Sequence, residues 1–106
     1  MIRVQVELWM WLEKELGEDF KSLSEMRTAT EINVEVDMTV KKLFDRFAAR
    51  YPAIAEKIFN RETNNFYPNL NVMVTSNDRV LIPYSLEDSI LKDGDKIIVL
   101  PLYAGG

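Results

Sequence analysis

One amphipathic stripe between residues 40 and 51 most constrains the fold of this chain. Apolar residues recur there at the three- and four-residue spacing of a helix with one buried face. They are Val40, Leu43, Phe44, Phe47, Ala48 and Tyr51. Asp37 or Thr39 can cap the start of this helix, and Pro52 is expected to stop it. Because a single long helix must bury its stripe against another layer, the rest of the chain has to supply that layer.

The segments around the helix alternate apolar and polar residues, which is the period of strands with one buried face. Strands are predicted over residues 2–10, 31–36, 69–75, 80–82 and 97–100. The second is expected to pair antiparallel with the first, and the nearly continuous apolar run at 97–100 predicts a central strand. We therefore expect an α+β domain in which a mixed sheet packs on one main helix.

The connecting stretches carry weaker signals. Leu12 and Leu16, followed by Gly17, suggest one or two helical turns. Residues 18–30 show no clear period, so a mobile connection is expected there. A shorter helix is predicted up to Asn60, followed by a polar loop over residues 61–68 and, later, a tight turn at residues 92–95.

Composition excludes several classes of function. A chain of 106 residues with 47% hydrophobic residues can fold as one domain without disulfides. Cysteine and histidine are absent, which removes thiol nucleophiles, Cys or His zinc sites and Ser-His-Asp triads. A net charge of -4 without a dense Lys/Arg block argues against nucleic-acid binding. With no long apolar run and no signal peptide at residues 1–3, neither membrane insertion nor secretion is expected, and a cytoplasmic location is predicted.

The last residues after Pro101 form a distinct tail, Leu102-Tyr103-Ala104-Gly105-Gly106. We expect residues 102–106 to be a flexible arm, long enough when extended to place the terminal carboxylate about 17 Å beyond the sheet. Glycines lack a Cβ atom, so they can pass through a narrow channel in another protein. The alternative interpretation is a frayed end or a remnant of cloning.

The segment Leu-Lys-Asp-Gly-Asp-Lys-Ile-Ile at residues 91–98, followed shortly by Gly105-Gly106, resembles the MoaD/ThiS family of ubiquitin-like β-grasp sulfur carriers. This family includes the small subunit of molybdopterin synthase. The resemblance extends over the opening strand with residues 12–17, the helix start at 39–43, and residues 71–74 and 86–106. Residues 100–104 depart from the Pro-Pro pair common in the family, and the connections at 18–30 and 60–68 look long.

The resemblance implies a carrier and not an enzyme. A ubiquitin-activating-type adenylating enzyme would use ATP to activate Gly106, a sulfur donor would convert Gly106 to a thiocarboxylate, and Gly105 would provide clearance. The sulfur would then pass to the large subunit of molybdopterin synthase or to another acceptor enzyme. No bound cofactor and no metal are implied.

Docking to these partners is expected to use residues beside the tail. Leu102, Tyr103 and Ala104 are the predicted partner-binding residues. Phe66 and Tyr67 are further candidates, although ordinary packing is the favoured interpretation for both. Trp9 and Trp11 are expected either to be covered by the connection or short helix that follows, or to form part of a partner surface.

Other functions remain open from the sequence. Gly106 could be joined to lysines of target proteins, the sulfur could serve thiamine synthesis or tRNA thiolation, or the tail could be inert. The acidic clusters at residues 13–15, 87–88 and 93–95 lack a full ligand set and are expected to be solvated surface.

Overall fold

The computed structural model describes residues 1–9, 20–24, 27–76, 79–81 and 90–101. The strands within these ranges are β1 (Ile2–Leu8), β2 (Lys21–Ser24), β3 (Arg27–Val34), β4 (Phe59–Asn60), β5 (Asn65–Phe66), β6 (Leu70–Ser76), β7 (Arg79–Leu81) and β8 (Lys96–Pro101). The helices are α1 (Val40–Arg50) and α2 (Pro52–Lys57). No helix within the described ranges is long and apolar enough to cross a membrane.

The main sheet has the strand order β2-β3-β1-β8-β6-β7. Strands β1 and β8 are parallel, whereas β3 is antiparallel to β1 and β6 is antiparallel to β8. The sheet is therefore mixed, and the predicted antiparallel pairing of the first two long strands is confirmed. The last strand lies between β1 and β6, as its apolar sequence predicted.

Helix α1 packs on one face of this sheet and closes the core. Its predicted stripe is confirmed, since Val40, Leu43, Phe44, Phe47 and Ala48 are all buried. The sheet residues that share this core include Val4, Val6, Leu8, Ile97 and Val99. Each large apolar side chain buried in this way contributes about 1.5–3 kcal/mol to stability. The α+β fold class predicted from the sequence is thus the observed one.

The start of α1 is capped by Thr39, whose Oγ1 accepts a hydrogen bond from the Lys42 N–H at 3.2 Å. Asp37, the alternative cap, lies in a turn with φ of 76°. The helix ends at Arg50, and Pro52 opens α2 at a position where a missing N–H costs nothing.

Two connections were predicted wrongly. The expected mobile connection contains β2, and β3 begins at Arg27 instead of residue 31 because Thr28 and Thr30 continue its alternation. Phe20, in the same stretch, is buried against Phe47 and Tyr51 with ring centroids 5.8 and 5.3 Å apart. Residues 10–19, with the end of the first predicted strand and the predicted helical turns, lie outside the described residues.

The region after α2 also differs from the prediction. The helix ends at Lys57 and not at Asn60, because Phe59 and Asn60 form β4 and pair with β5 inside the predicted polar loop. The rings of Phe59 and Phe66 meet edge to face at 5.1 Å across this pair. The predicted hairpin further along is confirmed by the antiparallel pairing of β6 with β7.

Candidate functional site

The candidate site is the end of β8, from which the predicted carrier tail begins. The Trp9 N–H, just after β1, donates a hydrogen bond to the Val99 carbonyl at 2.9 Å, and Leu70 at the start of β6 lies opposite Pro101. The chain therefore leaves β8 between the end of β1 and the start of β6. Leu102, Tyr103, Ala104, Gly105 and Gly106 lie outside the described residues, so the structure places the root of the tail and leaves their roles as predictions.

A tight turn at residues 92–95 leads into β8 and confirms the prediction made for it. Gly94 adopts a φ of 87° and the Asp95 N–H donates to the Lys92 carbonyl at 3.0 Å, the geometry of a type II turn. The Gly94 N–H donates to the Arg3 carbonyl at 2.8 Å, and the Gln5 N–H donates to the Asp95 carbonyl at 2.9 Å. These bonds fix the start of β8 beside β1.

The two aspartates of this turn have structural partners, and the solvated surface predicted for residues 93–95 is wrong for Asp95, which is buried. The Asp95 carboxylate accepts from the Lys92 N–H at 2.8 Å, and the Asp93 carboxylate accepts from the Arg3 N–H at 2.8 Å. Within the described residues, no group of three or more acidic side chains is arranged to hold a metal ion. The clusters at residues 13–15 and 87–88 lie outside those residues.

A buried carboxylate lies on the sheet face opposite α1, close to the end of β8. Glu7 is only 1% exposed, and its Oε1 accepts hydrogen bonds from the Trp9 Nε1–H at 2.7 Å and from the Arg27 Nε–H at 2.8 Å. A second Arg27 nitrogen also contacts Oε1. The other buried oxygen, Oε2, forms an ion pair with Lys96, whose ammonium lies 2.8 Å away. We call these four residues, Glu7, Trp9, Arg27 and Lys96, the Glu7 cluster.

The Glu7 cluster holds its carboxyl group ionised. Burial raises the pKa of Glu7, but hydrogen bonds from Lys96, Arg27 and Trp9 outweigh burial and leave the pKa below its usual 4.5. The Arg27 guanidinium also lies 4.6 Å from the centroid of the Trp9 ring, a cation-π contact. A carboxylate fixed by three donors is a poor group for proton transfer at neutral pH. The cluster therefore provides rigidity and a cationic, aromatic surface beside the root of the tail.

The apolar candidates outside the tail have packing roles. Phe66 packs against Phe44 in a tilted arrangement, with ring centroids 4.9 Å apart. The Tyr67 hydroxyl donates a hydrogen bond to the Ala55 carbonyl at 2.8 Å. Packing was the favoured interpretation of Phe66 and Tyr67, and it is confirmed.

Sequence reasoning noticed Trp9 but missed the rest of the Glu7 cluster. Trp9 is partly buried and is covered on one side by Arg27, which comes from the expected connection at 18–30. Trp11 lies outside the described residues. The one sequence signal for the cluster was a glutamate in the middle of an alternating strand, because its two cationic partners are 20 and 89 positions away.

Comparison with known structures supports the class of protein defined by this sheet and helix. Small archaeal modifier protein 1 of Haloferax volcanii has a TM-score of 0.67 at 17% identity, over 97% of this chain and 100% of that one. The putative molybdopterin converting factor, subunit 1, of Pyrococcus furiosus has a TM-score of 0.61 at 23% identity, over 97% and 100%. Small archaeal modifier protein 1 of Methanosarcina acetivorans has a TM-score of 0.62 at 21% identity, over 100% and 98%. The fold is therefore that of a ubiquitin-like β-grasp protein.

The particular family follows from the sequence itself. The model of the ThiS family matches residues 20–106, which is most of the chain and includes Gly105 and Gly106. The chain belongs to the ThiS family of small ubiquitin-like proteins, which confirms the resemblance to the MoaD/ThiS group. Members of this group work with activating enzymes and sulfur acceptor enzymes. Among curated proteins, no relative matches this chain.

Proposed function

We propose that this protein is a sulfur carrier whose terminal glycine, Gly106, is adenylated and then converted to a thiocarboxylate. The proposed acceptor is the large subunit of a molybdopterin synthase, and the protein acts as a recyclable co-substrate without a bound cofactor. The proposed site of action is the cytoplasm. The observation that carries the proposal is the ThiS-family match through Gly106, together with the position of the two glycines shortly after central strand β8.

The chemistry explains why a partner must supply activation. A free α-carboxyl has a pKa of about 3.3–3.7, so it is ionised at neutral pH and resists attack by sulfur. An oxygen of the Gly106 carboxylate would attack the α-phosphorus of ATP in the activating enzyme, forming an acyl-adenylate and releasing pyrophosphate. Hydrosulfide would then attack the acyl carbon, AMP would leave, and the thiocarboxylate would remain.

The fold supports separate roles for the domain and for the tail. The end of β8 is held by β1 on one side and β6 on the other, so the root of the tail is fixed relative to the sheet. Leu102, Tyr103 and Ala104 would contact the partner, Gly105 would pass its channel without a side chain, and Gly106 would react. The Glu7 cluster offers a rigid surface at the root against which a partner can orient the domain.

Conjugation to other proteins is the second candidate function. It shares the adenylation step, and it is supported by the likeness in fold to proteins that carry the name of small archaeal modifiers. The acyl-adenylate would be attacked by a lysine amine of a target instead of by sulfur, which would leave an amide bond to Gly106. Sulfur transfer for thiamine synthesis or tRNA thiolation would use the same thiocarboxylate with a different acceptor.

The decisive experiment is to measure the mass of the intact protein by mass spectrometry after reaction. The protein is incubated with ATP, a candidate activating enzyme and sulfide, and a carrier gains the mass difference between a sulfur and an oxygen atom. A variant without Gly106 should stay unmodified while melting as the wild type does. A bulky substitution, Gly105→Phe, should block adenylation more than docking.

Protein isolated from its native cells separates the two candidates. A carrier shows a thiocarboxylate at Gly106, whereas a modifier leaves its own last residues on target lysines. Since trypsin cleaves after Lys96, the remnant would be residues 97–106. Unmodified Gly106 under every activating condition, or a native chain that continues past Gly106 without processing, would contradict the proposal.

A further inference from the structure

The Glu7 cluster lies at the end of the sheet that an enzyme acting on the terminal glycine has to approach. The Trp9 N–H donates to the Val99 carbonyl at 2.9 Å, two residues before β8 ends at Pro101. Residues 102–106 follow, and an extended chain of this length spans about 17 Å. An enzyme that encloses the terminal glycine therefore comes within reach of Trp9.

The four side chains of the cluster share the face of the sheet opposite helix α1. Glu7 and Trp9 alternate with core residues of the first strand. Arg27 and Lys96 contact the Glu7 carboxylate, so they lie on the same face. Ile98, the parallel partner of Glu7, is half-buried there as well. This face therefore combines aromatic, aliphatic and cationic groups beside the root of the tail.

The cluster presents a positive charge on a chain that is negative as a whole. Arg27 and Lys96 share the single carboxylate of Glu7, so one positive charge is left over. Their side chains are 42% and 34% exposed, whereas Glu7 is 1% exposed. The negative charge is thus buried and the two cations reach the surface, although the chain carries a net charge of -4. Such a patch attracts a partner surface that carries carboxylates.

Trp9 and Arg27 are ordered before any partner arrives. The Trp9 Nε1–H donates to Glu7 Oε1 at 2.7 Å, and the Arg27 guanidinium lies 4.6 Å from the centroid of the indole ring. Side chains that are already held lose little conformational entropy on binding. Tryptophan and arginine are also among the residue types most enriched at the energetic centres of interfaces. Half-buried Trp9 and Arg27 are therefore suited to anchor a partner.

Stability alone does not account for the cluster. A buried ion pair is often no more stabilising than apolar residues of similar volume. An aliphatic residue at the position of Glu7 would pack beside Ile98, its partner in the parallel register. The ionised cluster adds what an aliphatic residue cannot, which is a fixed indole ring next to a fixed guanidinium. Recognition of a partner explains this arrangement.

We propose that Trp9, Arg27 and Lys96 form the docking anchor for the enzyme that adenylates the terminal glycine, and that this enzyme meets them with carboxylates beside an apolar surface. The indole ring packs on the apolar surface. In the part of the chain that the structure describes, Glu7 engages Nε and Nη2 of Arg27 and leaves Nη1 to bind an incoming carboxylate. A second copy of this chain fits less well, because a two-fold contact would place cationic patches against each other. The inference rests on the activation step of the proposed function, which a sulfur carrier and a protein modifier share.

The test is steady-state adenylation by the activating enzyme of the native cells, with this protein as the varied substrate and pyrophosphate release as the readout. Arg27→Gln removes the positive charge but keeps an N–H donor for Glu7. We expect KM to rise about tenfold while kcat changes by less than about twofold, because the anchor lies away from the reacting carboxylate. A role in folding alone would lower the melting temperature and leave KM unchanged.

Arg61→Gln is the matched control. Arg61 is 52% exposed and pairs with Asp45 of α1 at 3.2 Å, so this variant loses the same charge and a similar ion pair outside the cluster. Its KM should equal that of the wild type. Added salt should raise the KM of the wild type more than that of Arg27→Gln, because salt screens the charge that the variant lacks. Thermal melting of each variant checks that the fold is intact.

The anchor should also act through the indole ring and without the reactive end. Trp9→Ala should raise KM about thirtyfold or more, and Trp9→Phe, which keeps an aromatic ring, should recover most of the loss. A variant that lacks Gly105 and Gly106 has no reactive glycine but keeps the anchor, so it should inhibit adenylation of the wild type. Adding Arg27→Gln to that variant should weaken the inhibition about tenfold.

The outcomes separate this inference from the proposed function. Equal KM values for Arg27→Gln and Arg61→Gln, with Gly106 of the wild type adenylated, would overturn the inference and leave the carrier function standing. A KM that depends on Arg27, with no sulfur taken up at Gly106, would support the inference and contradict the carrier function. The inference also fails if the enzyme does not bind the wild type, or if Arg27→Gln slows sulfur delivery to an acceptor but not adenylation.

Discussion

Replacing Glu7 with glutamine tests whether the Glu7 cluster stabilises the sheet beside the root of the tail. The substitution keeps size and shape but removes the negative charge that three donors share. Those donors come from the residue just after β1 and from β3 and β8, so the change acts on three adjacent strands at once. We expect a measurable loss of stability without a change of fold.

The expected loss of stability follows from the solvent exposure of the cationic side chains that pair with Glu7. Breaking a buried ion pair costs about 3–5 kcal/mol when the remaining charge stays buried. The side chains of Arg27 and Lys96 are 42% and 34% exposed, so water can solvate both after the substitution. Glutamine also keeps one acceptor oxygen. We therefore expect a loss of about 2 kcal/mol, or about 10 °C in Tm for a chain of this length.

The assay is urea unfolding at a series of pH values. The pKa of Glu7 is lower in the folded protein than its unfolded value of 4.5. The stabilisation from the ionised carboxylate is therefore fully present above pH 4.5 and is lost as the pH falls through the folded pKa. The difference in unfolding free energy between wild type and Glu7→Gln should be constant near neutrality and should shrink below pH 4.5.

The control is Glu31→Gln, the same chemical change on the same face of the sheet. Glu31 is 63% exposed and lies 4.0 Å from Arg3, so we expect a change within about 0.5 kcal/mol. The reasoning fails if both variants lose equal stability, or if Glu7→Gln unfolds like the wild type at neutral pH.

Three further substitutions test local features of the fold by thermal melting. Thr39→Ala should cost about 1 kcal/mol by removing the cap of α1, and Thr39→Ser should restore most of it. Gly94→Ala should cost about 1 kcal/mol from its φ of 87° alone, since no atom lies within 4 Å of the added Cβ, and a full loss of folding would contradict this. Phe20→Ala should cost about 3 kcal/mol or more because Phe20 packs on Phe47 and Tyr51, and a negligible effect would show that the stretch before β2 is not part of the core.

The parts of the fold that could be predicted from sequence are those in which local pattern and burial agree. The stripe of α1 and the alternation of β1 and β6 determine their buried faces directly. Strand β2 could not be found, because it is short and joins the sheet at an edge, where pairing with β3 decides its conformation. The pair β4–β5 was missed for a similar reason, since contact between Phe59 and Phe66 overrides the polar composition around them.

The candidate site, too, could be predicted from the sequence only in part. Gly105 and Gly106 were identified from their position in the chain and their resemblance to a family, and the family is confirmed. The Glu7 cluster could not be predicted, because it depends on the parallel register that sets Glu7 opposite Ile98 and so brings Lys96 within reach. No residue near Glu7 in the sequence indicates that register.

The parallel pairing of β1 with β8 has a consequence for synthesis of the protein. Strand β1 is synthesised first but cannot complete its pairing until β8 has been synthesised, because β8 lies between β1 and β6. A nascent chain whose β8 is still inside the ribosome cannot complete the sheet, and such long-range pairing is slow to form. Chains that stop short of β8 would lack both the completed sheet and Gly106, so under the proposed function unfinished molecules could not compete for an activating enzyme.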